Sequence, residues 1–128
     1  MPSLHIPATR NTPSIRYLPE QPAFQVIGSS IPENAGSFYA PVVEWLQQHI
    51  TELPDGCTFS FSLPYFNSSS LKALYMVLLE IKKGIDAGKA FPIHWHVEVE
   101  DDFMTEAGET YQEMLGMDIK LIPGQLEL

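Results

Sequence analysis

Cations are scarce in this chain. Its 128 residues carry 7 Lys and Arg against 16 Asp and Glu, a formal net charge of −9 with histidine neutral. Phosphate backbones recruit clustered Lys and Arg, so nucleic acid is a poor partner. An anionic membrane surface is excluded on the same ground. Cysteine is almost missing. Cys57 stands alone, which rules out an internal disulfide and fits a reducing compartment. Long hydrophobic runs are lacking too, and the longest, around Ala73 to Leu79, is too short to span a bilayer. The opening "MPSLHIPATRNTP" has no charged n-region followed by an apolar run, so no signal peptide is expected. A soluble, cytoplasmic protein is the expectation. Catalytic signatures are also wanting: no Gly-rich phosphate loop, no Cys–His nucleophile signature, no strong metal motif. Neither an enzyme nor a cofactor is expected, and a protein partner is favoured.

What is present argues for a packed globule. Hydrophobic residues make up 45% of the chain, too many for a disordered one. Residues 1–128 show no repeat and no dividing linker, and read as one domain. Residues 1–22 are rich in proline and read as an extended arm with a short strand near Ile15–Tyr17. Ala23–Gly28 reads as a strand closed by a turn at Gly28-Ser29-Ser30. Phe38, Val42, Trp45, Leu46, His49 and Leu53 recur at helical spacing, with Pro41 suited to the first turn. Cys57–Leu63 alternates: Cys57, Phe59, Phe61 and Leu63 on one face, Thr58, Ser60 and Ser62 on the other. Phe91–Val99 repeats that pattern, and Ile119 with Leu121 suggests a last strand. Leu71, Leu74, Leu78, Ile81 and Ile85 form one helical stripe. Phe103, Ala107, Tyr111, Met114 and Leu115 form another, behind an acidic start at Asp101-Asp102.

The expected order is therefore β-β-α-β-α-β-α-β. Strands alternating with helices imply a mixed, mostly parallel sheet. Helices on both faces would require strands apolar on both sides, and these alternate. The helices are placed mainly on one face, leaving a more polar face free for a partner.

The segment "LPYFNSSSLKAL" offers two readings of its serines. Asn and Ser are preferred N-caps because their side-chain oxygens accept from free backbone N–H groups. Phe66 is positioned to staple the first turn. The same helix start also suits a phosphate, since free N–H donors and a positive partial charge meet it. Local sequence leaves both open.

"LHIPATRNTPSI", "SSIPENAGSFYAPVVEWL", "LPYFNSSSLKAL" and "HWHVEVEDD" occur in that order. Together they resemble the SiaC-type family of bacterial regulatory phosphoproteins over essentially the whole chain. The resemblance implies an α/β fold similar to STAS-type anti-anti-sigma proteins. It implies phosphorylation by a dedicated kinase at the position of Ser68, with Ser69 and Ser70 as lesser candidates, and removal by a PP2C-type phosphatase. It further implies that the unmodified form binds a diguanylate cyclase and promotes cyclic-di-GMP synthesis, and that the phosphate blocks this. On that view Ser68 serves as both cap and switch. Tyr65, Phe66, Asn67, Ser69 and Lys72 fall around it as candidate partner contacts, with Glu33 and Asn34 in the recognisable Pro-Glu-Asn-Ala loop. An alternative within the same fold is a partner-switching regulator of an anti-sigma kinase.

A third idea rests on His94, His96 and Glu98, at i, i+2 and i+4 of a strand. Imidazoles and a carboxylate on one face can bind a transition metal. The plainer reading is the polar face of a half-buried strand. Glu98, Glu100, Asp101, Asp102, Glu106 and Glu109 read as a solvated acidic helix start.

Overall fold

The computed structural model describes residues 3–128. Its elements in chain order are β1 (Leu4–Ile6), β2 (Ser14–Leu18), β3 (Ala23–Ile27), α1 (Ala35–His49), β4 (Thr58–Ser62), α2 (Ser68–Asp86), β5 (Ile93–Val97), α3 (Asp102–Leu115) and β6 (Lys120–Pro123). Six strands form one sheet in the order β1-β2-β3-β4-β5-β6. The β1–β2 and β2–β3 pairs are antiparallel, and every pair from β3 to β6 is parallel. Parallel crossovers are right-handed. Three of them stepping in one direction along the sheet place α1, α2 and α3 on the same face.

The register explains the core. Ile15, Val26, Phe61, Trp95 and Leu121 stand side by side across five strands. Tyr17, Phe24, Phe59 and Ile93 form the next row. Against these rows lie Tyr39, Val42 and Leu46 of α1 and Leu74, Leu78 and Ile81 of α2, all buried. The intervening row on the other face is polar: His5, Arg16, Gln25, Ser60, His94 and Lys120. Period-two alternation thus separates the faces as expected for a sheet covered on one side. Gly108 lets α3 come close, since a Cβ there would meet the Trp95 ring at 2.7 Å and Leu121 at 2.8 Å. Among the described residues no helix is long and apolar enough to cross a membrane.

Several expectations change. The supposed arm supplies β1 as well as the expected strand near Ile15–Tyr17, because Leu4 and Ile6 pack against the core beside it. Met1 and Pro2, the start of that arm, lie outside the described residues. Helix α1 begins at Ala35, so Pro41 sits inside it rather than in its first turn. Strand β5 ends at Val97. Val99 is therefore 83% exposed instead of apolar-facing. Phe103 and Met114 are exposed on α3, so its buried stripe runs through Met104, Ala107, Tyr111 and Leu115. Finally, the polar face is partly covered. Ser62 Oγ donates to Gln125 Oε1 and accepts from the Leu126 amide, and His96 Nδ1 bonds the Gly124 carbonyl. The chain's own C-terminal segment thereby buries Ser62 and His96.

Candidate functional site

Two helix starts are tied together at the C-terminal edge of β3 and β4. The loop after β3 runs beside the loop after β4, with Ser30 bridging Phe66 in parallel fashion. The Ser30 amide donates to the Tyr65 carbonyl at 2.9 Å, and the Asn67 amide donates to the Ser30 carbonyl at 3.1 Å. Beneath them, Ser30 Oγ bonds Tyr39 Oη at 2.7 Å and Ser70 Oγ at 3.0 Å. Burial pushes the Tyr39 hydroxyl up to about 12, so it stays protonated as part of this buried network. Sequence reasoning read Ser30 only as a turn residue and did not single out Tyr39. No local pattern marks a contact between residues 40 positions apart.

The cap of α2 is Asn67, not Ser68. Asn67 has extended backbone angles, and its side-chain oxygen accepts from the Ser70 amide at 3.2 Å. Asn34 does the same for α1 through the Ser37 amide. Asparagine wins because its carbonyl reaches one turn ahead while the backbone stays extended. Replacing Asn67 by Ala is expected to cost about 0.5–2 kcal/mol, read as a lower midpoint in urea unfolding with an unchanged m-value. No change in midpoint would contradict this cap.

With Asn67 as cap, the three serines occupy different environments. Ser70 is buried, and its hydroxyl meets Asn67 Oδ1, Ser30 Oγ and the Ser30 carbonyl. Ser69 is exposed, yet its hydroxyl turns back to donate to Asn67 Oδ1 at 3.0 Å. Ser68 is exposed at the first helical position, and its hydroxyl makes no hydrogen bond among the described residues. Free backbone donors and the positive end of α2 face that position. Lys72, exposed and one turn further along, has no ion-pair partner among the described residues.

The surroundings are suited to a docked protein. Tyr65 is 59% exposed beside Ser68, whereas Phe66 is only 2% exposed. Phe66 packs against Trp95 and Phe103, so it anchors the loop rather than offering a contact. Shallow grooves flank α2. One of about 240 Å³, with α1, is walled by Tyr39, Val43, Ala73 and Met76. Another of about 210 Å³, with α3, is walled by Leu71, Phe103, Ala107 and Tyr111. Glu33 is exposed in the loop leading to Asn34.

The strand histidines do not assemble with Glu98. His94 and His96 share a face with ring centroids 6.5 Å apart, but Glu98 lies beyond the end of β5. Among the described residues no group of three His, Cys, Asp or Glu side chains gathers around a metal-sized space. His94 instead feels its neighbours. Partial burial, then His96 and Lys120, hold it below its usual pKa of 6.5. The folded state therefore takes up this proton less readily than the unfolded chain. Its contribution to stability is present above 6.5 and is lost as pH falls below it. His94→Gln is expected to flatten the fall in urea midpoint between about pH 7 and about pH 5. An unchanged slope would count against that assignment.

Residues 6–124 match the model of SiaC family regulatory phosphoproteins. An uncharacterized protein of Pseudomonas aeruginosa (strain UCBPP-PA14) is 26% identical over 113 residues, covering 88% of this chain and 90% of its own length. The crystal structure of apo-SiaC from Pseudomonas aeruginosa superposes with a TM-score of 0.82 at 25% identity, over 94% of this chain and 98% of that one. In the complex of diguanylate cyclase SiaD with its activator SiaC, from the same organism, a chain matches with a TM-score of 0.83 at 24% identity. That match covers 94% of this chain and 99% of the other.

Proposed function

The chain belongs to the SiaC family of regulatory phosphoproteins, and from that premise we propose that it is a phosphorylation-controlled activator of a diguanylate cyclase. It is a regulator rather than an enzyme. In its unmodified form it docks the cyclase through the exposed surface around Tyr65, Ser68, Lys72 and the grooves beside α2. A partner kinase places a phosphate on Ser68 and blocks docking. A PP2C-type phosphatase restores it. The related SiaC of Pseudomonas aeruginosa is the activator of its diguanylate cyclase SiaD, which supports the choice of partner.

One observation carries the choice of residue. Of three adjacent hydroxyls, only that of Ser68 is both exposed and free of hydrogen bonds among the described residues. A kinase must reach its acceptor, and modification of Ser70 would break the network that joins the two helix starts. The test is cyclic-di-GMP production by a SiaD-like cyclase in the presence of the unmodified chain, the kinase-treated chain, and the latter after phosphatase treatment. Stimulation should appear, vanish and return. Equal stimulation by all three samples would end the proposal.

A further inference from the structure

A cleft lies at the other end of α2, about 27 Å along the helix from Ser68. It has a volume of about 570 Å³ and opens between the C-terminal ends of α2 and α3 and the first residues of β5 and β6. The lysines of the chain are Lys72, Lys82, Lys83, Lys89 and Lys120. Lys82, Lys89 and Lys120 all line this one cleft, and His94 joins them. In a chain of net charge −9, these three lysines outnumber the two acids of the lining, Asp86 and Asp118, and leave the rim locally positive. Below the rim, Phe91, Ile93 and Met117 are buried and supply an apolar floor.

The charges on the rim are not all committed. Lys82 donates to both carboxylate oxygens of Asp86, at 3.1 and 2.9 Å. Lys89 and Lys120 have no ion-pair partner among the described residues, and Asp118 is the other acid on the wall. Complementing helix dipoles accounts for Lys82 and Lys89. It does not account for Lys120 and His94, which sit on adjacent strands in direct register. Nor does the end of α2 present bare carbonyls there. The amides of Ala87, Gly88 and Lys89 take the carbonyls of Lys83, Ile85 and Gly84. The floor is rigid: a Cβ on Gly84 would meet Phe91 at 2.7 Å and Ile50 at 2.8 Å, and Phe91 stacks edge-on against Phe59.

We propose that this cleft binds a small organic anion, a phosphate or carboxylate head held by Lys89, Lys120 and His94 with an apolar ring or chain laid on Phe91 and Met117. Its volume falls in the range of pockets that hold small molecules, and an apolar bed with a few convergent polar groups is their usual makeup. The site is separate from the Ser68 surface, so it stands whether or not that surface docks a cyclase.

Phenyl phosphate is the minimal probe, with inorganic phosphate and phenol as its two halves. Titration into the full-length protein is followed by amide and imidazole chemical shifts. Phenyl phosphate should give saturable shifts at Phe91, His94 and Met117, and each half should bind at least about tenfold more weakly. The double variant Lys89→Ala/Lys120→Ala should weaken phenyl phosphate by about tenfold or more, while Lys83→Ala, which sits outside the cleft, should not. Lys83→Ala also removes the cation paired with buried Glu80, and the amide spectrum reports whether the fold is kept in both variants. Absence of saturable shifts with phenyl phosphate overturns the proposal. So does binding matched by inorganic phosphate alone, or binding indifferent to the double variant.

Discussion

Protein phosphorylated at Ser68 alone is expected to bind its cyclase at least about a hundredfold more weakly than the unmodified form, with a Tm changed by less than about 5 °C. The two halves of that expectation have different origins. Within the domain, a dianion at the first position of α2 meets free N–H groups and the positive end of the helix, and Lys72 lies one turn away. Such placements change stability by about 0.3–1 kcal/mol, and in the favourable direction. In a docked complex the same phosphate loses its water beside Tyr65 and the apolar grooves. A desolvated charge without a partner costs several kcal/mol, and each 1.4 kcal/mol is about tenfold in affinity. Ser68→Ala should bind the cyclase whether or not kinase is present. Calorimetric titration of the phosphoprotein, made with the kinase rather than mimicked by Asp, is the decisive measurement. Affinities within about threefold of each other would refute the electrostatic switch.

Trp95→Ala is expected to lower stability by about 3–5 kcal/mol, and Tm by roughly 10–20 °C. Trp95 is fully buried on β5, between Phe61 and Leu121 in the longest core row. Its ring contacts Phe61, Phe66 and Tyr111, and its indole N–H donates to the Met104 carbonyl at 2.9 Å. Truncation leaves a cavity under α3 and removes the indole bond that ties that helix to β5. It also withdraws the support of Phe66, the residue that fixes the Tyr65–Ser68 loop. Cyclase binding should therefore fall more than the folded fraction accounts for. Trp95→Phe keeps part of the ring and should sit between the two. A loss in urea-derived stability below about 1 kcal/mol for the alanine variant would mean that this core row matters far less than its burial suggests.

Much of the fold was legible before the structure. Phe59 and Phe61 alternate with Ser60 and Ser62, and Leu74, Leu78 and Ile81 recur at helical spacing, because burial on one face imposes those periods directly on the chain. The same logic placed the three helices on one side of the sheet. It failed where a pattern ran on past its element. Val99 extends an apolar series past the end of β5, and Met114 lies beside the buried stripe of α3 rather than on it. It also missed β1, since a three-residue segment beside prolines carries little periodic signal and gains its order from its neighbour in the sheet.

The amino-acid sequence by itself determined that this is an acidic α/β domain whose second helix opens on a run of hydroxyls. Residue spacing and charge are properties of the chain, and they follow from covalent order alone. Only tertiary structure gives Ser68, Ser69 and Ser70 different surroundings. Their chemistry is identical, and the distinction comes from what lies around each. Ser70 is drawn inward by Ser30, forty positions earlier in the chain, and Ser69 folds back on Asn67. Ser68 is left facing water because a helix turn rotates it away from both.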